Sequence, residues 1–136
     1  MNWNQANKFI KKLNKKRYGG YADWRLPTVN ELHSLIDYTQ YNPVLPHGHP
    51  FINVKPYRYW SATTYAYHTD YVWAVYMNYG YVHGFNKSGN FYAWPVRSGQ
   101  CESLRNPPTR FLDNGNGTVI DSRTGLMWTK DANIQP

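Results

Sequence analysis

A single cysteine, Cys101, stands among the 136 residues of this chain. No disulfide can close within it, and no multi-cysteine metal site can form. That count leaves the redox compartment open. No apolar run approaches the roughly 20 residues that cross a bilayer, so no membrane insertion is expected. Met1 is not followed by a secretory-signal pattern, so any export signal is expected to lie outside this chain. Carboxylates are scarce. Eight Asp and Glu stand against fifteen Lys and Arg, for a formal net charge of +7. Such a balance favours anionic partners. Catalytic signatures are missing as well. No nucleophile–base pairing, paired-carboxylate motif or phosphate-cradling glycine loop appears, so no enzymatic activity is expected. No nucleic-acid-binding motif is present either, which leaves salt-dependent nonspecific attraction and no specific nucleic-acid partner.

Aromatic residues are plentiful. Thirteen Tyr and six Trp raise the aromatic share to 18%. A core of this size needs fewer, so much of the tyrosine is expected at the surface, where the ring offers area and the hydroxyl still hydrogen-bonds. The length suits one domain with a core of its own.

The stretch from Gly19 to Leu32 organises the chain. Gly19-Gly20 ends whatever precedes it. Pro27 holds Leu26 extended. Thr28 with Glu31 three residues on is the capping-box pattern, and Leu32, Leu35 and Ile36 follow at helical spacing. This predicts a helix from Val29 to Tyr38. Trp24 and Arg25, fixed between the turn and the cap, are expected to point inward as a structural anchor. Ahead of them, Asn2 to Arg17 reads as an amphipathic helix. Trp3, Ala6, Phe9, Ile10 and Leu13 form one stripe, and Lys8, Lys11, Lys12, Lys15 and Lys16 the other. Either the lysines are a solvated face, or they form an anion-binding one. Their crowding toward the helix C-terminus suits the macrodipole and supports the first reading.

Thr39 to Pro56, with four prolines, reads as a pinned loop. His47-Gly48-His49 lies within it. No acidic residue or cysteine close by completes a zinc set, so no metal site is expected. From Arg58 the pattern turns to strands: 58–64, 71–77, 81–85 and 91–97, separated by glycine-marked turns, with Pro95 at an edge or bulge. Residues 100–108 read as a linker stiffened by Pro107-Pro108. Hairpin strands follow within 109–130, around Asp113-Asn114-Gly115-Asn116-Gly117. The acids and amides here lack EF-hand spacing, so the turn reading is preferred to a calcium loop. No cofactor is expected. Calcium stays open, with no acidic cluster to demand it.

Three stretches together resemble a known family. Gly-Tyr-Ala-Asp-Trp-Arg-Leu-Pro-Thr-Val-Asn-Glu-Leu (20–32), Tyr-Trp-Ser-Ala-Thr-Thr-Tyr (59–65) and Pro-Val-Arg-Ser-Gly-Gln (95–100) look like the domain at the C-terminus of the Legionella collagen-like adhesin. The resemblance implies an α+β, C-type-lectin-like fold, related to that of formylglycine-generating enzymes and of variable ligand-binding proteins. Two helices would pack on short antiparallel sheets. Trp24, Arg25, Trp60, Trp73, Arg97 and Trp128 would be structural. Two departures stand out. A segment like 110–128 opens the domain in the family but closes it here. The chain is then circularly permuted or strand-swapped, with residues 109–130 completing a single domain in cis or in trans. Family members also carry a cysteine in the first helix and another just before the final Val-Arg, and both are absent here. The cysteine chemistry of formylglycine-generating enzymes is not expected, since Cys101 falls in the linker without a partner.

The resemblance further implies extracellular or cell-surface ligand binding, and a trimer or a strand-swapped dimer. Basic charge and tyrosines point to sulfated or other anionic glycans, or another host or cell-surface ligand. Sulfates would meet Lys and Arg, and sugar faces would stack on rings. The expected site is the strand–turn region: Lys55, Arg58, Tyr65, Tyr67, His68, Tyr79, Tyr81, His83, Asn86 and Lys87. Lys8, Lys11, Lys12, Lys15 and Lys16 are a second anionic-ligand face. A diversified surface binding a protein ligand, and an oligomerising cap, are the alternatives.

Overall fold

A computed structural model describes residues 1–99 and 109–135. The expected linker, with Cys101, lies outside the described residues. The order of elements is α1 (Trp3–Lys16), α2 (Val29–His33), then β1 (Arg58–Thr64), β2 (Tyr71–Tyr76), β3 (Val82–Asn86), β4 (Val96–Ser98), β5 (Phe111–Asp113), β6 (Thr118–Asp121) and β7 (Leu126–Thr129). The architecture is α+β, with two helices on antiparallel sheets. One sheet runs β1-β2-β3, and the other β4-β7-β6-β5.

α1 starts on a capping box. The Asn2 side chain accepts from the Gln5 amide at 2.8 Å, and the Gln5 side chain accepts from the Asn2 amide at 2.9 Å. Such a cap contributes about 1 kcal/mol. Arg17, in the left-handed region at φ 55°, closes the helix before the glycines are reached. Ala6, Phe9, Ile10 and Leu13 are buried, while Lys8, Lys11, Lys12, Lys15 and Lys16 are exposed.

The next segment is clamped at three points. The Asn14 side chain donates to the Trp24 carbonyl at 2.8 Å and accepts from the Trp24 amide at 2.7 Å. The buried Trp24 indole donates to the Tyr18 carbonyl at 2.9 Å. Arg25 pairs backbone to backbone with Val96. Its side chain does not point inward as expected. It lies half-exposed in a fork to Glu31, at 2.6 and 2.8 Å. Burying an unpaired guanidinium would cost more than this surface pairing. Glu31 in turn accepts from the Thr28 amide at 2.8 Å, so one carboxylate serves the cap and the ion pair together.

Two expected elements come out shorter. α2 stops at His33 rather than Tyr38. Leu35 and Ile36 take three-residue hydrogen bonds, and the Asp37 amide turns away to the Val44 carbonyl at 2.8 Å. The 91–97 strand shrinks to Val96–Ser98. Pro95 has no N–H to give a ladder. Tyr92 instead makes a parallel bridge to Tyr59 in the other sheet.

The two sheets share a core. Trp94 stands between them, with its indole donating to the Thr129 carbonyl at 2.9 Å. Its ring centroid lies 5.3 Å from that of Trp128, 5.6 Å from Tyr59 and 4.9 Å from Phe51. The Tyr59 hydroxyl donates to the Ala132 carbonyl at 2.9 Å, and burial holds its phenol far above the ordinary range. Of the other aromatics expected to be structural, Trp60 and Trp128 are fully buried, whereas Trp73 is only partly so. β7 joins the hairpin to the body through the register Val96↔Trp128, Arg97↔Met127 and Ser98↔Leu126.

Candidate functional site

Alternate residues of a strand share a face. In the three-stranded sheet, Arg58 lies opposite Tyr76, Trp60 opposite Ala74, Ala74 opposite His83, and Val72 opposite Phe85. All these side chains therefore share one face. α1 covers part of it, packing Phe9 and Ile10 in one cluster with Trp60, Val72 and Ala74. The remainder is bare. It forms a groove of about 330 Å³ lined by Arg58, Tyr76, Tyr79, Tyr81, His83 and Phe85.

Four of the ten residues expected at a site meet here: Arg58, Tyr79, Tyr81 and His83. Tyr79 and Tyr81 are 54% and 62% exposed. Ring centroids step along the groove, 6.1 Å from Tyr79 to Tyr81, 6.3 Å on to His83 and 6.2 Å on to Phe85. Arg58 lies beside this ladder. Its guanidinium carbon stands 5.1 Å from the Tyr76 ring centroid, 4.7 Å from Phe85 and 5.4 Å from Phe91. Each ring attracts the cation by its quadrupole. Its Nε is closed off from solvent, with no hydrogen-bond partner among the described residues.

Arg58 differs from the other arginines that reach into the fold. Arg25 holds Glu31, Arg97 holds Asp23, and Arg110 holds Asp121. No carboxylate pairs with Arg58 among the described residues, and none lines the groove. Its described neighbours are the aromatic rings.

The other expected site residues lie elsewhere. Tyr65, Tyr67 and His68 sit at the tip of the β1–β2 hairpin. A register shift between Trp60 and Thr64 marks the approach to that tip. There Tyr65 packs on Trp73 at 4.8 Å, and its ring crosses β3 at Gly84. Asn86 is occupied in its own turn, where it accepts from the Ser88 amide at 2.9 Å. The Lys87 ammonium lies 4.9 Å from the Trp3 ring centroid, so it anchors α1. Lys55 offers its backbone amide to the Tyr59 hydroxyl and does not line the groove. Tyr76, Phe85 and Phe91 are the residues that sequence reasoning missed. The signal for Tyr76 and Phe85 was strand parity, two residues on from Ala74 and from His83.

Among the described residues no group of three His, Cys, Asp or Glu converges. His49 stacks on Phe51 at 5.9 Å, and burial lowers its pKa below the usual histidine value. In the hairpin, Asp113 pairs with Lys130 at 2.7 Å, and hydrogen bonding to that ammonium lowers its pKa. Asp121 is taken by Arg110.

A family model described as the Lcl C-terminal domain matches residues 1–97. The chain belongs to the Lcl C-terminal domain family. No curated protein and no solved structure matches it. The Lcl match runs from before α1 into β4 and so takes in every residue of the groove. The β5–β7 hairpin follows the matched residues, and it supplies three of the four strands of the second sheet. No helix among the described residues is long and apolar enough to cross a membrane.

Proposed function

We propose that this Lcl C-terminal domain is a non-enzymatic, adhesin-like module of a bacterial surface that binds sulfated or other anionic glycans. The groove on the three-stranded sheet is its ligand face. The observation that carries this reading is Arg58, a guanidinium without a carboxylate partner set beside stepped aromatic rings. A guanidinium fork matches the oxygens of a sulfate or carboxylate. Aromatic faces suit the apolar faces of sugar rings. The family membership supports a surface role, and the two-helix, two-sheet architecture is compatible with a C-type-lectin-like scaffold carrying its opening hairpin at the far end of the sequence.

A glycan array of sulfated, carboxylated and neutral chains, read over a salt series with short DNA included, tests the proposal. Retention of a subset of sulfated glycans at physiological ionic strength is the expected result. Equal retention of every polyanion, lost together as salt rises, would reduce the net charge to a nonspecific field. A second reading, a protein ligand, draws on the hairpin tip, where Tyr67 is 84% exposed beside Tyr65 and His68.

A further inference from the structure

β3 is the outer strand of its sheet. Its ladder to β2 fixes which backbone groups face away. The Tyr76 amide donates to the Tyr81 carbonyl at 2.7 Å, and the Lys87 amide donates to the Asp70 carbonyl at 2.9 Å. In an antiparallel pair such bonded positions alternate, so Tyr81, His83, Phe85 and Lys87 bond toward β2. Val82, Gly84 and Asn86 turn the other way. Among the described residues, the outward N–H and C=O of Val82 and Gly84 have no hydrogen-bond partner. Two other edges are closed: Tyr92 bridges to the outside of β1, and Arg25 to that of β4. β3 also lacks the usual guards of an edge. Val82 to Asn86 holds no proline and no Asp, Glu, Lys or Arg, and its register with β2 runs without a bulge.

The groove borders this edge, lined by Tyr81, His83 and Phe85 of the same strand region. A strand added to β3 therefore sets alternate side chains beside those rings, the arrangement by which sheet edges select extended peptides. Charge decides the kind of strand. The chain carries a net +7, and four of its eight Asp and Glu are already held in ion pairs. A second copy would bring the same positive surplus, whereas an acidic strand is attracted.

We propose that the open edge of β3 takes up an extended acidic segment of a partner protein by β-strand addition. The outward backbone groups of Val82, Gly84 and Asn86 hold its main chain. Carboxylates on its alternate residues lie on the groove side, where Arg58 and Lys87 supply positive charge. Strand addition at this edge does not require glycan binding.

Titration of the isotope-labelled full chain with a synthetic heptapeptide alternating Glu and Val, followed by NMR, tests this. The Val82 and Gly84 amides should exchange fast in the free chain. At nine-tenths saturation their exchange should slow about tenfold, since only the free fraction exchanges. The His83 and Phe85 amides, already bonded to β2, should change little. Lys in place of Glu in the peptide, or Pro in place of its central Val, should remove most of the binding. Val82→Pro deletes an outward donor that the β2 ladder does not use, and should weaken binding about three- to tenfold. His83→Glu, at an exposed position, should weaken the Glu peptide and strengthen the Lys peptide, which keeps the test open if the proline variant folds poorly. Val82 and Gly84 amides already slow in the free chain would overturn the proposal, because the edge would then be covered. Equal binding of the proline-broken peptide, or shifts confined to the lysines of α1, would reduce the effect to charge and overturn it too. Protection that grows with protein concentration and needs no peptide would give the edge to a second copy instead.

Discussion

Replacing Asp121 by Ala should destabilise this protein more than any surface charge change. Asp121 is fully buried in β6. Its two oxygens accept from Arg110 Nε and Nη2 at 2.9 and 2.8 Å, and one of them also accepts from the Arg123 amide at 3.0 Å. Arg110 Nη2 also donates to the Ser34 carbonyl just beyond α2, at 2.7 Å. The pair thus ties the hairpin to the body. Removing one partner of a buried pair leaves the other charge poorly solvated and costs about 3–5 kcal/mol. At roughly 3 °C per kcal/mol for a domain of this size, the melting midpoint should fall by about 10–15 °C. Urea denaturation followed by tryptophan fluorescence reads the free energy directly. The double variant Arg110→Met, Asp121→Leu should recover most of the loss, because apolar groups of similar volume replace such pairs at little cost. A fall of less than about 1 kcal/mol in the single variant would refute the reasoning, since that is the size of an exposed pair.

Two further outcomes follow from local geometry. Gly80 has φ +86°, and an added Cβ would meet Tyr38 Cε1 at 2.9 Å, so Gly80→Ala should cost about 1–3 kcal/mol in a urea titration. The Arg25 hydrogen bonds hold the Glu31 carboxyl below its ordinary value of 4.5. A depressed folded pKa gives stability that is present above the unfolded value and is lost as pH falls toward the folded one. Melting curves from pH 6 to about 2 should therefore show an acid limb that Glu31→Gln flattens, and an unchanged limb would contradict the assignment.

Local chemistry made much of this fold legible. Thr28 and Glu31 announce their cap within four residues, and the Ala6-Phe9-Ile10-Leu13 stripe names the buried face of α1. β1, β2 and β3 appear at nearly their sequence bounds, because each is a run of β-branched and aromatic residues and Gly80 and Gly89 mark the turns on either side of β3. What sequence could not carry is non-local. The Asp37 amide turns to Val44 across a loop instead of extending α2, and Tyr92 bridges to Tyr59 instead of extending β4. The expected site was a list of residues from one region. Strand parity and the placement of α1 divide that list, leaving Arg58, Tyr79, Tyr81 and His83 on one bare face and sending Tyr65, Tyr67 and His68 to the hairpin tip. Parity was readable in principle. Which part of the face α1 covers was not, because it depends on contacts such as Lys87 on Trp3.

The pairing of β4 with β7 also sets an order of events during synthesis. β1, β2 and β3 can zip together as soon as residues 58–86 have left the ribosome, since their contacts are sequential. Val96–Ser98 cannot complete its ladder until Leu126–Thr129 emerges. Until then one side of β4 offers unpaired backbone groups, and Trp94 lacks the Thr129 carbonyl that its indole requires. Such an edge can pair with another nascent chain. The residues of the groove-bearing sheet thus emerge first, and those that seal the core emerge last.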